Sequence, residues 1–406
     1  MRRFDVVVVG AGPAGLSAAT ELSRDRSCLL LDRGPLATRR DRNDAADILS
    51  GVGGAGLFSD GKHSFFPSAT ALWQLPDRDA LGGAFDATAQ LLRERGVELA
   101  RPSSGIDPLR AGRWPTETGV WHEKRYPSLY VPFPERLACI DELWTACDDR
   151  FSDARVADAE AAGEIALHVD RSAADQSGRC EEIQTRDLVI ATGRWSPRWM
   201  RPMLEKLGVR YAFRRDEIGV RIETTAHHPL FARLPGVDGK LILRDGDLEI
   251  RTFCTCRNGE VVLGHADGLH AFSGRADGPP TGRSNVGLVV RGAFGDAIER
   301  AAASEPVRFS LGAWLADPSL LVPTFGIAGA SALHRALQRL REWAPELVDA
   351  EVHAPVIEGI GEYPVDDALQ IAKHVWIAGD ACGRFRGIVA SMVSGRYVAR
   401  RIIAGG

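Results

Sequence analysis

A run of hydrophobic residues, Phe4 to Val9, breaks abruptly into Gly10-Ala11-Gly12-Pro13-Ala14-Gly15. No other feature restricts the fold as much. A β-branched run of this length suits a strand buried on both faces of a parallel sheet. In the pattern G-x-G-x-x-G the first glycine permits a tight turn. The second lets the backbone approach a pyrophosphate, and the third lets the next helix pack close to the strand. Ala14 to Arg24 carries Leu16, Ala19 and Leu22 at helical spacing, and Cys28 to Asp32 is a second apolar run. Asp32 lies 22 residues beyond Gly10, where a carboxylate binds a ribose hydroxyl pair. The helix N-terminus offers free N–H groups and a positive dipole to phosphates. Residues 1–32 therefore predict a β–α–β dinucleotide-binding unit.

Composition narrows what such a unit serves. The 406 residues carry Lys+Arg 50 against Asp+Glu 54, a net charge of −4. Such a balance gives no basic footprint for nucleic acid. Seven scattered cysteines are not a disulfide framework. No stretch reaches the roughly 18 unbroken apolar residues of a spanning helix. Glycines interrupt the N-terminal run and no small-residue cleavage site follows. The expectation is a cytoplasmic protein without membrane insertion.

Two further motifs repeat the strand-then-glycine arrangement. Ile190-Ala191-Thr192-Gly193 ends an apolar run in mid-chain, and Trp376-Ile377-Ala378-Gly379-Asp380 ends another before a closing helix. Together with Gly10–Gly15, these motifs resemble the two-dinucleotide-binding-domain flavoproteins. The resemblance implies FAD as cofactor. It implies that Asp380 binds near the ribityl and pyrophosphate groups, and that Gly387, Ile388 and Val389 present amides to the flavin. Arg33, Val156, Thr192 and Gly193 join the implied cofactor set.

A denser glycine cluster follows the first unit: Gly51-Val52-Gly53-Gly54-Ala55-Gly56-Leu57-Phe58-Ser59-Asp60-Gly61-Lys62. Glycines this close together let backbone touch a flat ligand or a phosphate. Gly53, Gly54, Gly56 and Ser59 are the cofactor candidates here. The pattern resembles a family of FAD-dependent dehydrogenases whose chemistry is largely unassigned. The likeness continues at Ile218–Glu223 and at Phe253-Cys254-Thr255-Cys256, where the family's Pro-Gly-Gly is replaced by Arg257-Asn258-Gly259. The family's closing glycine-rich segment survives only as Gly379–Gly383.

Lys62, Tyr126 and Cys254 are the candidate catalytic residues. Lys62 is either an exposed lysine or a cation beside the flavin or a substrate carboxylate. His63, His122, Tyr126 and Tyr130 have side chains suited to acid–base work, and equally to packing. His227-His228, before Pro229, reads as a surface turn. Cys254 and Cys256 allow three readings: a zinc site, a redox disulfide, or small residues lining a cavity. Zinc is disfavoured because no second ligand pair sits at the required spacing, so no metal is expected. A second G-x-G-x-x-G unit is absent, which disfavours a separate nicotinamide domain.

The predicted fold is α/β. A three-layer, mostly parallel Rossmann-like sheet is assembled from 1–76, 150–200 and 355–406. A mixed-sheet substrate or cap domain comes from 77–149 and 201–354. Within them, 100–134, rich in Pro and aromatics, reads as a covering loop, Glu135–Arg150 as a helix, and Glu181–Arg186 and Asp187–Ala191 as separate strands. Ser172–Arg179 reads as a turn. The predicted function is an FAD-dependent oxidoreductase moving hydride between a small organic substrate and flavin N5, with O2 or a redox partner as electron acceptor. The aromatic stretch 114–133 suggests a flat, partly apolar substrate. The alternatives are a monooxygenase using transiently bound NAD(P)H and a non-catalytic flavin-binding protein.

Overall fold

In the computed structural model, which describes residues 2–98, 112–171, 179–234 and 236–405, the opening run forms the strand Arg2–Val9 inside a mainly parallel sheet. Cys28–Leu31 pairs with it on one side and Arg179–Ile190 on the other, with Val375–Ile377 beyond. Val6, Val7 and Val8 have no exposed surface, as expected for a β-branched strand covered on both faces. The four strands end level: Val9 is in register with Leu31 and Ile190, and Ile190 with Ile377. Their carboxyl ends share one edge, where sheets of this type take ligands. The helices Pro13–Leu22 and Ile388–Gly405 pack against each other. Arg78–Arg93 packs on the closing helix and Phe133–Thr145 on the first.

The second sheet has eight strands, in the order Val307–Ser310, Glu351–Pro364, Tyr211–Thr225, Arg283–Gly292, Leu248–Cys256, Leu241–Asp245, Gly119–Glu123 and Gly112–Thr116. Its two faces differ sharply, because successive side chains in a strand point to opposite sides. Ile218, Val220, Ile222, Leu288, Val290 and Ile250 form one face and are fully buried in a core shared with the helices Ala297–Ala303 and Val322–Trp343. The opposite face carries Glu217, Gly219 and Arg221, then Arg291, Val289 and Gly287 beside them, then Glu249, Arg251 and Phe253. Charges on a buried sheet face are costly unless they are paired.

Several expectations change. The sheet expected to be mixed pairs antiparallel along every described ladder. The covering loop expected over 100–134 is partly sheet: Gly112–Thr116 and Gly119–Glu123 form an edge hairpin, and Ser128–Tyr130 pairs with Lys62–Ser64. Residues 99–111 of that stretch, and 172–178 of the expected turn, lie outside the described residues. Its two tryptophans pack in a core instead of shielding a site. Trp121 is fully buried in the second core, and Trp114 packs edge-on against Trp343 at 6.3 Å. Residues 181–190 are one continuous strand, and the helix expected to Arg150 stops at Thr145, before the strand Asp149–Phe151.

The division of the chain shifts too. Leu81, Phe85, Leu92, Ile140 and Leu143 belong to the first core, so the helices of 77–149 join the nucleotide sheet rather than the cap. Glu351–Pro364 pairs with Tyr211–Thr225 and so carries 355–364 into the second sheet. That strand has no alternating pattern, because it is buried along nearly its whole length.

Candidate active site

Gly10 begins the first turn at φ +102°, and a Cβ there would lie 2.6 Å from the Ala191 carbonyl oxygen. A Cβ on Gly15 would clash with the Gly10 carbonyl oxygen, so this turn admits only glycine at both positions. Gly12 is extended, and no side chain caps the helix Pro13–Leu22. Its first N–H groups therefore remain for a ligand. Asp32 is buried. Its Oδ2 accepts the Ala11 N–H at 2.7 Å and its Oδ1 the Gly34 N–H at 2.9 Å. Burial pushes this carboxyl upward, against those two hydrogen bonds. Val156 sits near the start of Ala154–Ala162, whose Ala154 N–H donates to the Asp32 carbonyl at 2.8 Å.

The dense glycine cluster folds onto this turn. The Gly53 N–H donates to the Ala11 carbonyl at 2.8 Å. A Cβ on Gly54 would be 3.0 Å from the Gly12 Cα, and one on Gly56 would touch Pro13 and Ile388, each at 3.3 Å. The three glycine-containing stretches, far apart in sequence, thus meet where the parallel strands end. Gly387 (φ +109°) and Gly193 (φ +84°) have open space beside them.

Asp380 gives a direct test of fit for a flavin nucleotide. Its Oδ1 is buried with no hydrogen-bond partner among the described residues, while Arg386 Nε lies 3.2 Å from Oδ2. An unpaired buried acceptor carries a desolvation cost that a ligand hydroxyl would relieve. With uncapped amides at Gly12–Gly15 and acceptors at Asp32 and Asp380, the donor set matches a dinucleotide.

Other candidates point elsewhere. Arg33 pairs with Asp267 on the hairpin Glu260–Ala266/Leu269–Arg275 and donates to Ser50 Oγ at 3.0 Å. Ser59 Oγ donates to the Gly56 carbonyl at 2.9 Å, closing its own loop. Thr192 Oγ1 donates to Ser196 Oγ at 2.5 Å. His228 is not an idle surface turn: its Nδ1 accepts the Leu230 N–H at 3.2 Å and caps the helix Pro229–Arg233.

Lys62, Tyr126 and Cys254 do come together. Lys62 is buried, not an exposed lysine, with Nζ 2.8 Å from Asp60 Oδ2, 3.7 Å from Asp238 Oδ1 and 2.5 Å from the Thr255 carbonyl. Burial opposes its charge, but Asp60, Cys256 and Asp238 outweigh burial and hold the ammonium well above its ordinary range. The Tyr126 hydroxyl donates to Asp238 Oδ2 at 2.7 Å, and burial followed by that carboxylate pushes the phenol well upward. Cys254 Sγ donates to Asp60 Oδ2 at 3.3 Å. Tyr130 is 44% exposed and lies in register with Lys62 across the pair Lys62–Ser64/Ser128–Tyr130, at the edge of this network.

An ion chain crosses the charged sheet face. Asp380 contacts Arg386, which reaches Glu358 at 2.8 Å and Glu217 at 3.3 Å. Arg291 lies 3.0 Å from Glu217 and 2.7 Å from Glu249. Lys240 and Lys124 have no carboxylate within ion-pair distance among the described residues. Burial pushes both down to about 8, opposed by Asp238 at Lys240 and aided by repulsion from Arg291 at each, and Lys124 Nζ donates to the Ser68 carbonyl at 2.7 Å and Thr70 Oγ1 at 3.1 Å.

Sequence reasoning missed the arginines that hold this site. Arg40 is buried and donates to the Val52 carbonyl at 2.8 Å and to Asp47. Arg136 donates to the Leu57 carbonyl at 2.8 Å. Nothing in their neighbours marks them, because Arg40 is held by main-chain carbonyls and Arg136 by carbonyls and the distant Asp277.

A family model described as FAD dependent oxidoreductase matches residues 5–401. No curated protein sequence matches the chain. Among solved structures, the chain is similar to a geranylgeranyl bacteriochlorophyll reductase-like protein from Thermoplasma acidophilum, at 14% identity and TM-score 0.47, over 100% of this chain and 79% of that one. It is similar to a flavoprotein/dehydrogenase from Cytophaga hutchinsonii at 14% identity and TM-score 0.46, over 100% and 79%. It is also similar to aklavinone-11 hydroxylase, solved with FAD and aklavinone, at 14% identity and TM-score 0.46, over 100% and 63%.

Proposed function

We propose that this chain, which belongs to the FAD-dependent oxidoreductase family, holds FAD along the level carboxyl ends of its parallel strands and acts on a small organic molecule beside the charged sheet face. The observation that carries this reading is the meeting of Gly12, Gly54 and Ile388 at that edge, beside the unpartnered oxygen of Asp380. The finer likeness to the dehydrogenases bearing the Gly51–Lys62 pattern is part of the proposal.

FAD supplies a two-electron centre that exchanges hydride with substrate carbon at its N5. The residues of this chain have separate tasks. Gly12, Ala14 and Gly15 offer backbone N–H groups to the pyrophosphate, and Asp32 accepts from the ribose. Asp380 accepts from the ribityl chain. The N-terminus of Ile388–Gly405 would offer positive dipole to a bound flavin, which would favour its reduced, negatively charged form. Tyr126, hydrogen-bonded to Asp238, positions substrate and keeps its proton across the physiological range. Lys240, 5.1 Å from the centre of the Tyr126 ring, favours a substrate with an anionic group.

The purified protein is expected to be yellow and to release FAD on denaturation. Under anaerobic conditions, carboxylate-bearing donors should bleach it while their amides do not. A colourless protein that takes up no FAD would sink the reading. Bleaching by neutral donors alone would remove the anionic preference and leave the rest.

A further inference from the structure

We propose that Cys254 and Cys256 are a two-electron dithiol–disulfide couple, in which Cys254 exchanges with small-molecule thiols and disulfides and Cys256 is the sulfur held inside. The strand Leu248–Cys256 is not regular here. Its register against Arg283–Gly292 slips between Phe253 and Cys256, and Cys254 takes φ +47°. This bulge brings the two sulfurs to 3.8 Å, and rotation of the side chains must close that gap to about 2 Å for a bond. Cys254 is half-buried and Cys256 is fully buried. An incoming sulfur can therefore meet only the first.

The charges around the pair are placed for a buried thiolate. Arg221 is completely buried, with no carboxylate within ion-pair distance among the described residues. Its Nη2 donates to the Cys254 carbonyl at 2.6 Å and to Asn285 Oδ1, while Nε and Nη1 have no hydrogen-bond partner among the described residues. A Cβ on Gly274 would touch both this guanidinium and the Cys256 sulfur, which sets the two groups side by side. An isolated buried guanidinium is costly, and a thiolate at Cys256 would neutralise it. Lys62 adds a second cation. Neighbouring Cys254, then Lys62 and Arg221, push the Cys256 thiol down against the effect of burial, while Cys254 is pushed well up.

This asymmetry gives the exchange its direction. A small thiolate attacks Cys254 Sγ of the disulfide. The Cys254–Cys256 bond breaks, and its electron pair leaves on Cys256, the better leaving group. A second thiolate attacks the outer sulfur of the mixed disulfide and expels Cys254, which takes a proton, its S–H then hydrogen-bonded to Asp60. Two small thiolates become one disulfide, and the protein gains two electrons and one proton, Cys256 remaining a thiolate. A small disulfide drives the reverse. Asp60, Cys254 and Cys256 also have ligand atoms within 4.8 Å of one another. Lys62 and Arg221 already bring two positive charges to that group, which disfavours a divalent ion there.

The test uses the purified flavoprotein in mixtures of reduced and oxidised glutathione. Samples are acid-quenched, alkylated, digested and weighed, with flavin content read in parallel. The peptide holding Cys254 and Cys256 should shift in one step from doubly alkylated to unalkylated and lighter by two hydrogens. Exposed Cys180 should instead form a glutathione adduct. In C256S, Cys254 should stop at a glutathione adduct, and in C254S, Cys256 should stay unmodified. Full alkylation of both cysteines in the most oxidising mixture would overturn the couple, as would stoichiometric zinc on the wild-type protein. The wild-type measurement decides even if a variant fails to fold. Because it does not depend on flavin, its failure leaves the flavin reading standing.

Discussion

Arg136 and Asp277 form an ion pair from which solvent is nearly excluded, their side chains only 3% and 6% exposed. The pair joins two parts of the molecule. Arg136 lies on the helix Phe133–Thr145 and donates to carbonyls of the glycine-rich loop at Gly56, Leu57 and Ser59. Asp277 follows the hairpin beside the second sheet and also pairs with Arg42 at 2.9 Å. Removing one partner of a buried pair leaves an uncompensated charge, which costs about 3–5 kcal/mol. Asp277→Ala should therefore lower unfolding free energy by roughly that amount in urea titration. A loss under 1 kcal/mol, about that of an exposed pair, would show that solvent reaches Arg136.

Two glycine-to-alanine changes should move stability in opposite directions. Gly15→Ala forces a Cβ against the Gly10 carbonyl in a turn that cannot yield without moving Ala191. It should lower Tm and flavin content together. Gly82 is exposed in the helix Arg78–Arg93 with nothing within 4 Å of a Cβ. There alanine should stabilise by about 0.5–1 kcal/mol through helix propensity. Equal flavin content in the Gly15→Ala protein and the wild type would mean that the turn relaxes.

Acid should destabilise the protein partly through His63. The imidazole is buried, and burial pushes it from 6.5 down to about 4, with Arg136 adding to the shift and the Gly61 carbonyl opposing it. The unfolded chain takes up this proton near the ordinary value and the folded chain much lower. Stability from neutral His63 is therefore complete above pH 6.5 and is lost as pH falls toward 4. The contribution to the slope is at most about 1.4 kcal/mol per pH unit. In chemical denaturation across this window, His63→Asn should show a shallower fall than the wild type. Parallel slopes would mean that His63 is protonated in the folded protein.

The parts legible in the sequence are those whose constraint is local. A glycine that must turn beside a strand end leaves its mark within six residues, so Gly10–Gly15 and Asp32 could be read directly. The charged sheet face could not. Glu217, Arg291 and Glu249 become neighbours only when three strands pair, and each alone looks like an ordinary exposed charge. Glu351–Pro364 was invisible for the opposite reason: burial along both faces removes the alternation that announces a strand. The aromatic stretch misled because Trp121 and Trp114 fill a core as well as they would line a cleft. The pairing of Lys62 with Asp238 depends on residues 176 positions apart. Only the fold brings them within reach.

Asp32 separates structural from ligand-binding work most cleanly. Both its oxygens already accept backbone N–H groups, from Ala11 and Gly34, so it shapes the turn before any ligand arrives. Each oxygen keeps a second lone pair for a ribose hydroxyl. Asp32→Ala leaves two buried N–H groups unpaired, at about 1–3 kcal/mol each, and removes the ribose acceptor. It should lower Tm and empty the flavin site. Asp32→Asn keeps one carbonyl oxygen for Ala11 or Gly34 but sets an amide N–H against the other donor. Its Tm and its ratio of flavin to protein absorbance should both fall between the wild type and Asp32→Ala. An Asp32→Ala protein that folds and remains saturated with FAD would show that the nucleotide lies elsewhere, and the assignment of this strand edge would fall with it.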